Sequence, residues 1–362
     1  MPRTTSIDAL RAHIDRLDEK LLTLLNQRAS LAVAIGQHKR RTRTSIYTPD
    51  REKHVLQRLV AANKGPLKAE NIRSIFREIM SACLSLEKRL RVACLGPLGT
   101  FSHQAVREQF GSAAEVIPVS SIAGAFDEVE GGRADYAVVP VENTTEGTVA
   151  ATLDRFVTSP LVIKAEVLLR VEQCLLSRTG RREDIARIIS HPQSLGQCRQ
   201  WLAQHAPALP QVEAASNAQA AMTARDDPSV AAIAGRVCAD EYGLRVIAAN
   251  IQDHQHNCTR FLVLGLDGIS RASGDDKTSL LLSLPHKAGA LHRVLKPFAD
   301  NGVNIGTIES RPLKERAWEY LFFLDLVGHV QEAHVARALE AVRRRCLQLK
   351  VLGSYPAAAG SV

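Results

Sequence analysis

From Ile7 onward the apolar residues fall three and four apart, through Leu10, Ile14, Leu17, Leu21, Leu24, Leu31 and Ile35, with Arg28 at one position of the pattern. This is the spacing of a helix with a heptad seam. Running from Ser6, a candidate N-cap, to about Arg41, such a helix spans about 50 Å at 1.5 Å per residue, and a seam that long needs a partner. Thr48 reads as the N-cap of a second helix with Pro49 at its first position, stopped by Asn63-Lys64-Gly65-Pro66. A third carries Ile72, Phe76, Ile79, Cys83, Leu86 and Leu90 at the same spacing. Three helices of such unequal length do not close a bundle alone, so an intertwined homodimer is expected.

Charge is concentrated in this segment. Residues 1–91 hold 19 Lys and Arg against 9 Asp and Glu, whereas residues 92–362 hold 27 against 29. Tyr47 and Phe76 are the only aromatic residues of the basic part, too few for stacking on bases, which disfavours nucleic acid and favours small polyanions. No run of 18 apolar residues exists and the first residues lack a signal-peptide pattern, so no membrane association is expected and a cytoplasmic location is. The seven cysteines are scattered without a C-x-x-C pair, which predicts reduced thiols, no metal site and no cofactor.

Arg28 stands where its neighbours in the pattern are aliphatic. A guanidinium keeps its charge, so burial demands an anion: either Asp15 or Asp18 in a structural bridge, or a ligand shared with Lys39, eleven residues on and on nearly the same face. Arg11 points about 100° away, which suits a side chain serving a neighbouring protomer. The run L-R-x-x-I-D-x-L-D-x-x-L-L-x-L-L-x-x-R, from Leu10 to Arg28, resembles the all-helical chorismate mutases. The resemblance implies a pericyclic rearrangement of chorismate to prephenate, with Arg28 and the partner chain's Arg11 on the carboxylates. It further implies Lys39 and Glu87 at the ether oxygen, Glu52 at the ring hydroxyl and Arg51 lining the cavity. Thr48 stands where an Asp often precedes the Arg-Glu pair, and Glu87 where some members have Gln; Glu87 donates only when protonated.

From Arg91 the pattern changes to short apolar runs, RVACLG, ADYAVVPV, ARIIS, VAAIAG and TRFLVLG, several separated by helical stretches; this reads as an α/β domain. Polar clusters follow the strands: GPLGTFS with Thr100 and Ser102, PVENTTEG with Glu142, Asn143, Thr144 and Thr145, and SHPQS with Ser190 and Gln193. Thr259-Arg260 opens the last strand. In this order the motifs, with the run from Ser216 to Ala221, look like prephenate dehydratase. The resemblance implies two lobes around a cleft, similar to periplasmic binding proteins. It implies Thr259 as the donor to the departing hydroxyl, Glu142, Asn143, Thr145 and Gln193 as partners, and Arg260 on a substrate carboxylate or bracing the loop.

Residues 268–277 are polar and aperiodic, as in a linker. Residues 278–355 then read β-α-β-β-α-β, a ferredoxin-like order, and 356–362 read as a flexible tail. GALHRVL, with Gly289, Ala290 and Leu291, and ESRP, with Glu309, Ser310 and Arg311, resemble the ACT domain, which implies L-phenylalanine as effector. The expected fold is therefore multidomain: an all-α mutase segment (1–91), a two-lobed α/β dehydratase domain (92–267) and an α+β ACT domain. The whole chain resembles the bifunctional chorismate mutase/prephenate dehydratases. Two other readings are a dehydratase whose helices only dimerise, which Thr48 favours, and a non-catalytic sensor of aromatic metabolites.

Overall fold

The computed structural model describes residues 6–42, 45, 47–312 and 320–358. The chain opens with helices α1 (Ile7–Thr42), α2 (Pro49–Ala62) and α3 (Ala69–Glu87). Ser6 caps α1, its Oγ accepting the Ala9 N–H at 3.2 Å. Thr48 precedes α2 but makes no side-chain capping bond, so the capping role expected for it is not realised; Pro49 sets the helix start instead. Asn63 ends α2 by accepting the Gly65 N–H at 3.1 Å and donating to Leu67 O at 2.8 Å. α1 packs on α3, where Ile72 and Cys83 are buried. Among the described residues nothing covers the seam of α1: Leu10, Ile14, Leu17, Leu21, Leu24, Leu31 and Ile35 are all exposed, Leu31 by 67%.

Apart from Pro49–Val55, these helices form one compact unit with Phe110–Glu115, and the rest of the chain forms another. After the helices come β1 (Arg91–Leu95), α4 (Phe101–Phe110), β2 (Glu115–Val119), α5 (Ile122–Glu130), β3 (Tyr136–Asn143), β4 (Gly147–Thr148), α6 (Ala150–Thr158) and β5 (Val162–Arg170). The chain then builds a second sheet from β6 (Cys174–Ser177), β7 (Arg187–Ser190), β8 (Gln211–Glu213), β9 (Val230–Ala234) and β10 (Arg245–Ala248). Helices α7 (Pro192–Gln197), α8 (Arg199–His205), α9 (Asn217–Asp226) and α10 (Val237–Tyr242) accompany it. β11 (Cys258–Gly265) returns to the first sheet, between β3 and β5. The result is two α/β lobes.

The C-terminal domain comprises β12 (Asp276–Ser283), α11 (Ala290–Asp300), β13 (Ile305–Pro312), β14 (Tyr320–Val327), α12 (Ala333–Arg343) and β15 (Gln348–Pro356). Its strands lie in the order β13-β14-β12-β15, all antiparallel, which is the ferredoxin-like arrangement. The sheet continues into the first lobe where β15 meets β5 at Gly353 and Ile163. A Cβ on Gly353 would stand 2.4 Å from Ile163 O, so glycine is what permits the junction. One face of the C-terminal sheet carries α11 and α12. The other shares a core with the first lobe, in which Leu281, Phe323 and Tyr355 join Phe126, Phe156 and Ile163.

Residues 266–275 lack regular structure yet are tied down: Tyr136 donates to Asp267 at 2.8 Å, Lys164 donates to Gly268 O, and His329 donates through Nε2 to Ser270 O at 2.9 Å. Of the expected tail, Pro356 ends a strand, and the N–H groups of Ala357 and Ala358 bond to Asp275 O and Glu166, both at 2.9 Å. Residues 359–362 lie outside the described residues.

Candidate active sites

In the helical unit, Arg28 is half-buried on α1 and forms no hydrogen bond or ion pair among the described residues. The structural bridge to Asp15 or Asp18 is therefore not made. Lys39, half-buried, follows three turns on. Arg11 is exposed and reaches Asp8 at 3.7 Å, an i,i+3 pair of little energetic weight. Glu52, half-buried, and Arg51, exposed, lie on the first turns of α2, which belong to the other unit. On α3, Glu87 lies against α1 where α1 has a glycine: a Cβ on Gly36 would stand 2.6 Å from Glu87 Cγ and 2.8 Å from its Oε2. Gly36 was not singled out in the sequence, although a glycine inside a long helix costs about 1 kcal/mol against alanine and so signals a packing reason.

The first lobe places its polar clusters at one edge. β1 and β3 are parallel, so GPLGTFS and ENTTEG leave the sheet at the same end, and antiparallel β11 begins there with Thr259 beside Asn143. Asn143 Oδ1 accepts the Thr145 and Glu146 N–H groups at 2.9 and 3.0 Å, which fixes the amide orientation. Its Nδ2 then faces Thr259 Oγ1 at 2.8 Å and Asn257 Oδ1 at 2.9 Å. Because the amide can only donate there, Thr259 accepts, and its own O–H is left for another acceptor. Asn257 is a site residue that the sequence reading missed; its place directly before C-T-R-F was the available signal.

Register divides the motifs. Thr259 pairs with Asn143, and Arg260 with Glu142; adjacent residues of a strand point to opposite faces. Arg260 is only 9% exposed and turns toward the C-terminal domain, reaching Glu166 at 2.7 Å, Asp325 at 2.5 Å and the Tyr355 hydroxyl at 3.0 Å. Burial by itself would push the guanidinium pKa down, but Tyr355, Asp325 and Glu166 outweigh it and hold Arg260 charged. Burial first, then Asp325, pushes the Tyr355 phenol up, keeping it neutral. Glu142 lies on the same face, 4.0 Å from Arg260. Neither side chain shares the face of Thr259, and the contacts of Arg260 are those of a brace, the second of the two roles the resemblance implies for it.

Several hydroxyls of the polar clusters, candidates for substrate contact, bond within the protein. Thr144 Oγ1 accepts the Cys258 N–H at 3.0 Å and donates to His256 O at 3.3 Å, stapling the turn to β11. Thr100 Oγ1 donates to Leu95 O at 2.9 Å and accepts the His103 N–H; Ser102 is buried beside it on α4. In the second lobe Ser190 Oγ lies 2.6 Å from Ile233 O and 3.1 Å from Asn217 Oδ1. Gln193, at the start of α7, is exposed. Buried Gln173, also missed, donates to Ser194 Oγ at 3.0 Å. The cysteines are all free, and burial pushes the thiols of Cys94, Cys198 and Cys238 up to about 12, so these three are not nucleophiles at neutral pH.

In the C-terminal domain, a hollow of about 450 Å³, partly open to solvent, is lined by Leu284, His286, Lys287, Leu291, Tyr320 and Phe322 among others. Gly289, left-handed at φ 73, caps α11, and the Ala290 N–H already bonds to Lys287 O. The ESRP segment is divided as ENTT is. Glu309 and Arg311 face the first lobe, bonded to Thr148 at 2.5 Å and Asp154 at 3.1 Å, while Ser310 between them is exposed. The Glu309 and Ser310 side chains therefore face opposite sides of β13.

Three family descriptions match the chain: Chorismate mutase type II over residues 10–88, Prephenate dehydratase over 92–268 and ACT domain over 278–344. A bifunctional chorismate mutase/prephenate dehydratase of Aquifex aeolicus is 44% identical over 353 residues, 96% of this chain and 97% of the relative. One of Neisseria gonorrhoeae is 45% identical over 351 residues, 96% of each. A crystal structure of prephenate dehydratase in complex with L-Phe from Arthrobacter aurescens is 38% identical, with a TM-score of 0.68 over 74% of this chain and 90% of that one.

Proposed function

We propose a working scheme for a chain that belongs to the bifunctional chorismate mutase/prephenate dehydratases, converting chorismate to prephenate and prephenate to phenylpyruvate. The rearrangement needs no nucleophile. It needs a dicarboxylate held folded and donors where negative charge grows on the ether oxygen. Arg28, without a protein anion, takes one carboxylate, and Arg11 of the partner subunit takes the other. Lys39 and Glu87 serve the ether oxygen and Glu52 the ring hydroxyl. The exposed seam of α1 is covered by a second copy, which makes the enzyme a homodimer, and we place it in the cytoplasm.

In dehydration the ring carboxylate leaves as carbon dioxide, its electron pair enters the ring, and the ring hydroxyl departs as water with one added proton. The observation that carries this reading is Asn143 donating to Thr259 at 2.8 Å, which leaves the threonine O–H to hydrogen-bond the departing hydroxyl. A threonine is a weak acid, so it acts as a positioned donor. L-phenylalanine binds the hollow at residues 284–291, its ring against Leu291, Tyr320 and Phe322, its carboxylate at the first turn of α11, and lowers dehydratase turnover. The test is incubation with chorismate or supplied prephenate, with products identified and L-phenylalanine titrated. Prephenate and then phenylpyruvate should form; chorismate left unconsumed by an enzyme active on prephenate would reduce the helices to a dimerisation device.

A further inference from the structure

Two side chains on the inner face of the C-terminal sheet reach the strands around the Asn143–Thr259 pair, one on β11 and one on β4. Asp325 on β14 holds Arg260, and Glu309 on β13 accepts from Thr148 Oγ1 at 2.5 Å. Thr148 lies across from Glu142, and Gly147 from Asn143, so β4 is the return limb of the turn whose Thr145 and Glu146 N–H groups clamp Asn143. A continuous path thus runs from Glu309 through Thr148 and the clamped turn to Asn143 and Thr259. At its other end, Glu309 pairs with Phe323 and Ser310 with Phe322, and Phe322 lines the hollow at residues 284–291.

The two links differ in kind. Arg260 is buried and shared among Glu166, Asp325 and Tyr355, and removing one partner strands an unpaired charge, so it is a fixed joint. The Thr148–Glu309 bond is a single, partly buried hydrogen bond with a small hollow beside it, into which Glu142, Thr307 and Glu309 also face. It can be exchanged for water at modest cost. We propose that Thr148 is a positioning residue: its bond to Glu309 sets the turn that orients Asn143 and Thr259, and an effector-induced shift of β13 and β14 acts on dehydration through this bond. The effector half of this statement rests on the L-phenylalanine reading above.

The experiment compares Thr148→Val, Thr148→Ser and Glu309→Ala with wild type in the full-length enzyme. It reads dehydratase kcat and KM with and without L-phenylalanine, calorimetric L-phenylalanine binding, and mutase turnover as a control of folding. In Thr148→Val, kcat should fall several-fold with KM unchanged, L-phenylalanine should still bind, and the factor by which it lowers kcat should shrink at least fivefold toward one, within the usual range of allosteric coupling. Thr148→Ser should restore both, and Glu309→Ala should match Thr148→Val. Wild-type kcat and inhibition in Thr148→Val would overturn the proposal, as would loss of L-phenylalanine binding in Glu309→Ala, which would return Glu309 to the effector site. If L-phenylalanine fails to inhibit even wild type, the effector reading falls alone. Basal kcat then decides, an unchanged value in Thr148→Val refuting the positioning role.

Discussion

Gly36 and Thr259 make opposite demands on a side chain. At Gly36 a missing Cβ lets Glu87 lie against α1. Replacing it with alanine improves helix propensity by about 1 kcal/mol while driving the Glu87 side chain away. Because the added methyl also meets the Glu87 Cβ and Cγ, Gly36→Ala should gain no thermal stability, lower mutase kcat at least tenfold and leave dehydration of supplied prephenate unchanged; a mutase that tolerates alanine would separate Glu87 from the chemistry. At Thr259 the hydroxyl itself matters, because Asn143 uses it as an acceptor and leaves its proton outward. Thr259→Val preserves shape and keeps Asn143 held by Asn257. Dehydratase kcat should drop by roughly 10²–10³, the scale of one positioned donor, with mutase turnover intact. Near-normal kcat in this variant would move the donor role elsewhere.

At the scale of elements, α1 was legible from end to end, because a 3/4 spacing over four heptads has one reading and Ser6 marks its start. Its exposed face in the folded chain is the same fact seen from outside. Leu24→Glu with Leu31→Glu places charge on two exposed seam positions and should halve the mass seen by sedimentation and abolish mutase turnover; a persistent dimer would put the interface on another face. The strands were legible as strands, but which residue of each motif faces the cleft was not. Glu142-Asn143 and Thr259-Arg260 look like polar pairs when read along the chain. Period-two alternation splits each pair, and the split acquires meaning only when the C-terminal sheet arrives with Asp325 and Glu309. The same alternation hid the division of Glu309 from Ser310. Distant charges select the partner face, and a single sequence does not display that selection.

At the scale of the molecule, the shared core of Phe156, Ile163, Phe323 and Tyr355 and the β5–β15 junction make the first lobe and the C-terminal domain one continuous sheet. If the effector and substrate sites proposed above lie on it, they obey linkage: whatever factor L-phenylalanine applies to the affinity for a cleft ligand, that ligand applies to L-phenylalanine. An effector binding both arrangements equally would shift nothing. A non-reactive prephenate analogue at saturation should therefore weaken calorimetrically measured L-phenylalanine binding, by the factor with which L-phenylalanine weakens the analogue. The two titrations form a closed cycle, so agreement is required by thermodynamics whenever both ligands bind the same folded enzyme, and the informative quantity is the size of the factor. In wild type it should be about 5 to 150, the span of typical coupling. In Thr148→Val it should approach one while each ligand alone binds as before. A factor of one in wild type would mean that L-phenylalanine acts on turnover without acting on ground-state binding. The Thr148–Glu309 bond would then serve the positioning of Thr259 in the transition state only.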